Sequence, residues 1–283
     1  MKPQRSSRDI RLIAGVAVLA TIVLAAGVVV GYRLGAYKTA PPTQGATLAA
    51  DFARLETKLH AVAGIAVSAV GNGQAPIMLG DWEHGPAWST IKVPLIIAAL
   101  RQENPPTVTD AMTAAITESD NAAAESIWAS LGDPVTAARK VEAVLRQTGD
   151  STTVQSQKVR PEFTAFGQTD WSLTDQARFT SVAVCDSANA PVFALMGRVQ
   201  PDQRWGIGTV PGAQFKGGWG PSPTGSYLVR QLGVLPAPKG RIAVALAAQP
   251  ASGKFDDGTA ALDEMASWLT AHLGALPAGQ CGP

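Results

Sequence analysis

The chain has 283 residues, 46% of them hydrophobic and 16% charged, enough apolar content for one large or two modest domains with a true core. Its 23 basic and 22 acidic residues leave a formal charge of +1, which excludes a disordered chain and gives no global basic field of the kind nucleic-acid binding uses. Three scattered histidines without H-E-x-x-H spacing argue against a metal centre, so neither a metal nor a cofactor is expected.

The first element is the uncharged run LIAGVAVLATIVLAAGVVVGY, Leu12 to Tyr32, about the length that crosses a bilayer core. Lys2, Arg5, Arg8 and Arg11 precede it, so residues 1–11 are expected to stay in the cytoplasm, 12–32 to span, and everything later to lie outside. A cleaved secretory signal is the rival reading, but the run is longer than a usual signal core and no clean A-x-A site follows. No cysteine follows it either, so a lipid anchor has no support. Residues 33–46, with Pro41-Pro42, read as a linker, and 47–283 as the folded domain.

Within that domain, Leu48, Phe52, Leu55, Leu59 and Val62 recur at helical spacing, predicting an amphipathic helix from Thr47 to Val62. GIAVSAV (64–70), the turn at Gly71-Asn72-Gly73 and APIMLGDW (75–82) predict a hairpin. From Ser89 to about Gly149 the text is helical, broken at ENPP (103–106) and LGDP (131–134). After Arg204 come strand-like QFKGGW, SYLVRQLGVL and RIAVALAA, and then the amphipathic ALDEMASWLTAHL, Ala261 to Leu273. The simplest packing is α/β: both chain ends join one antiparallel sheet of about five strands, covered by the terminal helices, with an all-helical lobe at about 86–203 and a cleft between the two parts. Cys185 and Cys281 leave two readings open, a disulfide in an oxidising compartment or a core residue plus a tail thiol.

Three short motifs carry the chemistry. In WSTIKVPL, Ser89 and Lys92 stand three residues apart at a helix start, on one face, in the positive field of the helix N-terminus. Alone this pair is weak, since a capping serine and a solvated lysine give the same text. Downstream, Ser119-Asp120-Asn121 interrupts helical sequence, and Lys216-Gly217-Gly218 lies in a strand whose glycines permit close approach to the backbone.

S-x-x-K, S-D-N and K-[T/S/G]-G in that order resemble the signature of class A β-lactamases and penicillin-binding proteins. The similarity extends through AWSTIKVPLIIAAL, MTAAITESDNAAAESIWASLG and WSLTDQARFTSVAV, and covers roughly Thr47 to Leu273. It implies a β-lactamase-like fold and a serine acyl-transfer enzyme acting on a β-lactam or peptidoglycan-like peptide; the apolar run at 12–32 would tether that enzyme to the membrane, facing outward. By the same resemblance Ser89 is the nucleophile, Lys92 the amine that takes its proton, and Ser119 the hydroxyl that passes a proton to the leaving group. Asn121 and Lys216 would bind substrate, Asp120 would brace the loop, and the backbone amides of Ser89 and Trp219, the latter just after Gly218, would form the oxyanion hole.

The pattern also departs from the family. Gly217 stands where Thr or Ser is usual, so a carboxylate-binding hydroxyl is missing; Ser89 and Ser119 are only 30 positions apart, which predicts a trimmed lobe. In KVRPEFTAFGQTDWSLTD, Glu162 is the only carboxylate near the place of the deacylating glutamate, and Phe166 replaces the expected asparagine. These departures favour a long-lived acyl-enzyme and keep a non-catalytic scaffold as the alternative. A histidine-based serine hydrolase lacks its G-x-S-x-G elbow. Trp82, Trp88, Trp205 and Trp219 are expected mainly to pack, and Arg204 and Arg230 to be solvated surface residues.

Overall fold

The computed structural model describes residues 44–71 and 73–282. The expected membrane segment and linker lie outside these residues, apart from the linker's last few; among the described residues no single helix is long and apolar enough to cross a membrane.

The chain opens with helix α1 (Gln44–Leu59). His60, at φ +47°, turns it directly into strand β1 (Ala61–Ala69), so Val62 belongs to the strand and not to the helix, as the i, i+3 spacing had implied. Strand β2 (Ile77–Gly80) pairs back on β1, the expected hairpin. The late strands β5 (Gln214–Pro221), β6 (Tyr227–Ala237) and β7 (Gly240–Pro250) complete an antiparallel sheet of order β2-β1-β7-β6-β5. The β1–β7 ladder, from Ala61↔Pro250 to Ala69↔Ile242, joins the two ends of the domain. A terminal helix α8 (Phe255–His272) begins six residues before the expected Ala261.

Strand alternation explains the layering. On β7, Ile242, Val244 and Leu246 face a core with Phe52 of α1 and Leu262 and Leu269 of α8. The intervening Ala243, Ala245 and Ala247 face the other core, where small side chains let helix α6 (Leu173–Ala183) lie close against β1 and β7. That second core holds the helical part: α2 (Lys92–Leu100), α3 (Asp110–Thr117), α4 (Asn121–Ser130), α5 (Pro134–Arg146) and α7 (Ala190–Met196). Every residue of α2 is buried, the signature of a helix enclosed on all sides.

Two local devices place the segments that matter. Asp133 accepts the amides of Val135 and Thr136, and Pro134 opens the helix, so LGDP is the break and cap that starts α5. Strand β3 (His84–Pro86) pairs with β4 (Asp170–Ser172), which puts one short strand inside the lobe expected to be all-helical and its partner at that lobe's start. It sets the 157–168 loop beside the entry to α2. Cys185 and Cys281 form a disulfide that ties the end of α6 to the C-terminal tail, resolving the two readings left open above.

Candidate active site

Ser89 lies in a 3₁₀ turn, Trp88–Ile91, that runs straight into α2. This turn is held from three sides. Ala87 N–H donates to Thr169 O at 2.7 Å, and Gln176 of α6 donates to Thr90 Oγ1 at 2.8 Å. Arg230 of β6 donates to Gly85 O, Pro86 O and Trp171 O at 2.8–2.9 Å. Trp88, just ahead of Ser89, has φ +49°, a backbone state uncommon for a bulky residue and typical of functional turns.

Lys92, one turn on, is 1% exposed, and its Nζ reaches across to the next motif. It donates to Ser119 O at 2.6 Å and Asn121 Oδ1 at 2.8 Å, with Ser119 Oγ at 3.5 Å. Ser119 also adopts φ +60°, which turns its hydroxyl and carbonyl toward the two lysines. Asp120 caps α4 by accepting Ala123 N–H at 2.9 Å, the bracing role expected of it. Lys216, wholly buried on β5, donates to Ser119 Oγ and to Gly217 O, both at 2.9 Å. Lys92, Ser119, Asn121 and Lys216 therefore meet from three separate chain segments, the last hydrogen bond spanning 97 positions, and Ser89 lines the same cleft as Asn121.

Burial pushes the Lys92 amine down to about 7, opposed only in part by Asp120. Burial also lowers Lys216, well below the usual lysine range, and the neighbouring Lys92 charge lowers it further. As a neutral amine Lys92 has two N–H bonds and one lone pair. Its two short hydrogen bonds use both hydrogens and leave the lone pair to accept a proton. Ser89 itself is half-buried, and its Oγ has no hydrogen-bond partner among the described residues.

The close approach expected at the glycines is made by the protein itself. A Cβ on Gly218 would stand 2.9 Å from Ala87 O, Ser89 N and Thr90 N, so this glycine brings β5 onto the nucleophile turn. Gly217 is less constrained, since a Cβ there would meet only side chains, the nearest being the Trp205 ring at 3.0 Å. Trp219 follows on the same edge strand, one residue after the glycine that touches the nucleophile turn, and lines the same cleft as Ser89.

A cleft of about 200 Å³ opens over Ser89, lined by Trp88, Asn121, Phe163, Trp219 and Tyr227 among others. A larger concavity of about 590 Å³, lined by Leu55, His60, Pro250 and Glu264 on the α1–α8 side of the sheet, contains none of the motif residues. The chemistry marks the smaller one.

The residues that depart from the family pattern have definite places, and one sequence reading, that of Arg230, is corrected. Glu162 does not line the cleft; its carboxylate is 56% exposed and held by Arg160 at 3.1 Å, while Arg160 also donates to Pro221 O and sits over Phe163. Phe166, where asparagine was expected, is packed against Trp128 in the core. Arg230 is not a surface residue but fully buried, and burial lowers its guanidinium to about 9. The signal was available: Arg230 alternates with Leu228 and Leu232 on the inward face of β6. Phe163 and Tyr227 carried no such signal, because each reaches the cleft from a loop end.

No family model and no curated protein sequence matches the chain. Its fold, however, is that of solved class A β-lactamases. The class A enzyme from Mycobacterium abscessus aligns at 16% identity, 79% of this chain and 99% of that one, with a TM-score of 0.58. The β-lactamase from Streptosporangium roseum aligns at 16% identity, 82% and 100%, with 0.61, and that from Sphaerobacter thermophilus DSM 20745 at 19%, 81% and 98%, with 0.60.

Proposed function

We propose that this chain, a class A β-lactamase fold with Ser89 at its cleft, is a serine acyl-transfer enzyme of the β-lactamase and penicillin-binding superfamily, membrane-anchored and facing outward, that acts on a β-lactam or a peptidoglycan-like substrate. The observation that carries the reading is the buried Lys92–Ser119–Lys216 hydrogen-bond chain behind an unpartnered Ser89 hydroxyl. A retired scaffold has no use for two buried amines, whose desolvation is costly unless it serves a reaction.

In the proposed reaction, neutral Lys92 takes the Ser89 proton as Oγ bonds to the substrate carbonyl carbon. The carbonyl oxygen becomes an oxyanion between the Ser89 and Trp219 amides, an interaction worth roughly 3–4 kcal/mol per donor in the transition state. Ser119 accepts from Lys216, which leaves its own hydroxyl proton to be donated to the leaving group, and Lys92 restores it. Glu162 has no part in the later hydrolysis, so the acyl-enzyme is long-lived. The uncharged run at 12–32 and its basic N-terminal flank support the anchor.

The test is labelling of the purified residues 44–283 domain with a fluorescent penicillin and, in parallel, an uncharged activated ester. A covalent band from either probe, lost in Ser89→Ala, is expected. Absence of any Ser89-dependent label sinks the proposal and favours the scaffold.

A further inference from the structure

The wall of the cleft along β5 is aromatic where a charged or hydroxylated wall would bind an anion. Trp205, from the loop before β5, fills the space beside Gly217 and meets Trp219 edge-on at 5.9 Å between ring centroids. Phe255, at the start of α8, packs on Trp205 at 6.1 Å, on Trp219 at 5.6 Å and on Tyr227 at 5.9 Å. All four rings are only half-buried, and Trp219 and Tyr227 continue the cluster into the Ser89 cleft.

Three cations nearby are turned inward or packed on a ring, while Lys254, next to Phe255 in the chain, is exposed. Lys216 is wholly buried, with its amine on Ser119 Oγ and Gly217 O. Arg230 is wholly buried, with both terminal nitrogens spent on three main-chain carbonyls. Arg204 lies over the ring of Phe215 at 5.7 Å. Position 217 has no hydroxyl, and a side chain there would meet the Trp205 ring at 3.0 Å and require it to shift. A carboxylate brought against these rings would meet aromatic faces, whose quadrupole repels anions; the non-aromatic side-chain donors of the cleft, Ser89, Asn121 and Thr164, come from other segments.

Resting on the acyl-transfer reading above, we infer that the site selects acyl donors whose group along β5 is neutral and aromatic or planar apolar, and that it discriminates against donors carrying a carboxylate there. The leaving group of an aryl ester fits this description. Ser89 Oγ bonds to the ester carbonyl carbon, its proton passes to Lys92, the carbonyl–aryloxy bond breaks, and Ser119 protonates the departing phenoxide.

A matched pair of esters tests the inference: phenyl and 3-carboxyphenyl esters of phenylacetylglycine share an acyl group and differ only in the charge carried by the leaving group. Acylation of Ser89 is followed by intact mass, and each rate is divided by that ester's spontaneous hydrolysis rate. The phenyl ester is expected to acylate on the order of tenfold faster, the scale of one to two aromatic contacts. Trp219→Ala is expected to erase that preference, and Trp205→Phe, which retains a ring and the packing, to keep it. Equal or faster acylation by the carboxylated ester overturns the selectivity while leaving the acyl-transfer reading intact. Failure of both esters, and of the penicillin probe, to form a Ser89 adduct overturns both.

Discussion

Gly218→Ala is the most exacting perturbation of this site, because it adds one methyl group and removes nothing. The new Cβ would lie 2.9 Å from Ala87 O, Ser89 N and Thr90 N, where ordinary contacts begin at 3.4 Å. All three are main-chain atoms of a turn already held by Thr169, Gln176 and Arg230, so they cannot swing aside as a side-chain end could. Strand β5 must instead move out by roughly half an ångström or more, and overpacking of this kind costs about 1–3 kcal/mol. At about 2–4 °C per kcal/mol for a domain of this size, the melting temperature should fall by a few to about ten degrees. The larger effect is on chemistry: the Ser89 and Trp219 amides separate, and losing one oxyanion donor lowers rate by about 10²–10³. The assay is Ser89 acylation by intact mass at a temperature where the variant is folded, with Gly274→Ala, which meets nothing within 4 Å, as the control. Acylation of folded Gly218→Ala within a fewfold of the parent would refute the argument that this contact sets the oxyanion geometry.

Other outcomes follow from the same geometry. The acylation rate should rise with pH through about 7 and level off above it, since Lys92 must be neutral to accept the proton and burial holds it near that value. At pH 7 about half of the Lys92 population is neutral, against roughly one in a few thousand for a free lysine, so a profile still rising at pH 9–10 would show that burial does not act as described. Glu162→Ala should leave the lifetime of the Ser89 adduct unchanged, because the carboxylate is exposed and held by Arg160 outside the cleft; a marked lengthening, read by mass after removal of excess probe, would restore it as a base. Arg230→Gln offers two N–H donors to three main-chain carbonyls, so it strands at least one of them and should cost about 1–3 kcal/mol in chemical denaturation, an effect foreign to a surface arginine.

The parts of this molecule legible in the sequence are those written locally. Strand alternation in RIAVALAA, the turn at Gly71 and the Asp133-Pro134 cap each depend on a few neighbouring residues, and they place β7, the first hairpin and α5 where they are found. The motif residues were legible because their chemistry is rare in combination, although only the fold brings Lys216 to Ser119. What could not be read is what depends on contacts far apart in the chain. Nothing local to Gly217 says that Trp205 packs beside it, and although Arg160 and Glu162 are only two positions apart, nothing local says that Arg160 is fixed by Pro221 O, 61 positions on. Arg230 is the intermediate case: its inward register on β6 was readable, but its three carbonyl partners come from Gly85, Pro86 and Trp171, more than 50 positions away.

The central claim is that Ser89 is a nucleophile served by Lys92. Intact mass followed by peptide mapping, on the parent domain, Ser89→Ala and Lys92→Ala exposed to the same activated ester at pH 8, tests it most directly. The account predicts one acyl group on the peptide containing Ser89 in the parent, none in Ser89→Ala, and a rate at least about 10² slower in Lys92→Ala. An unmodified parent, or an acyl group that forms elsewhere and persists in Ser89→Ala, would contradict it.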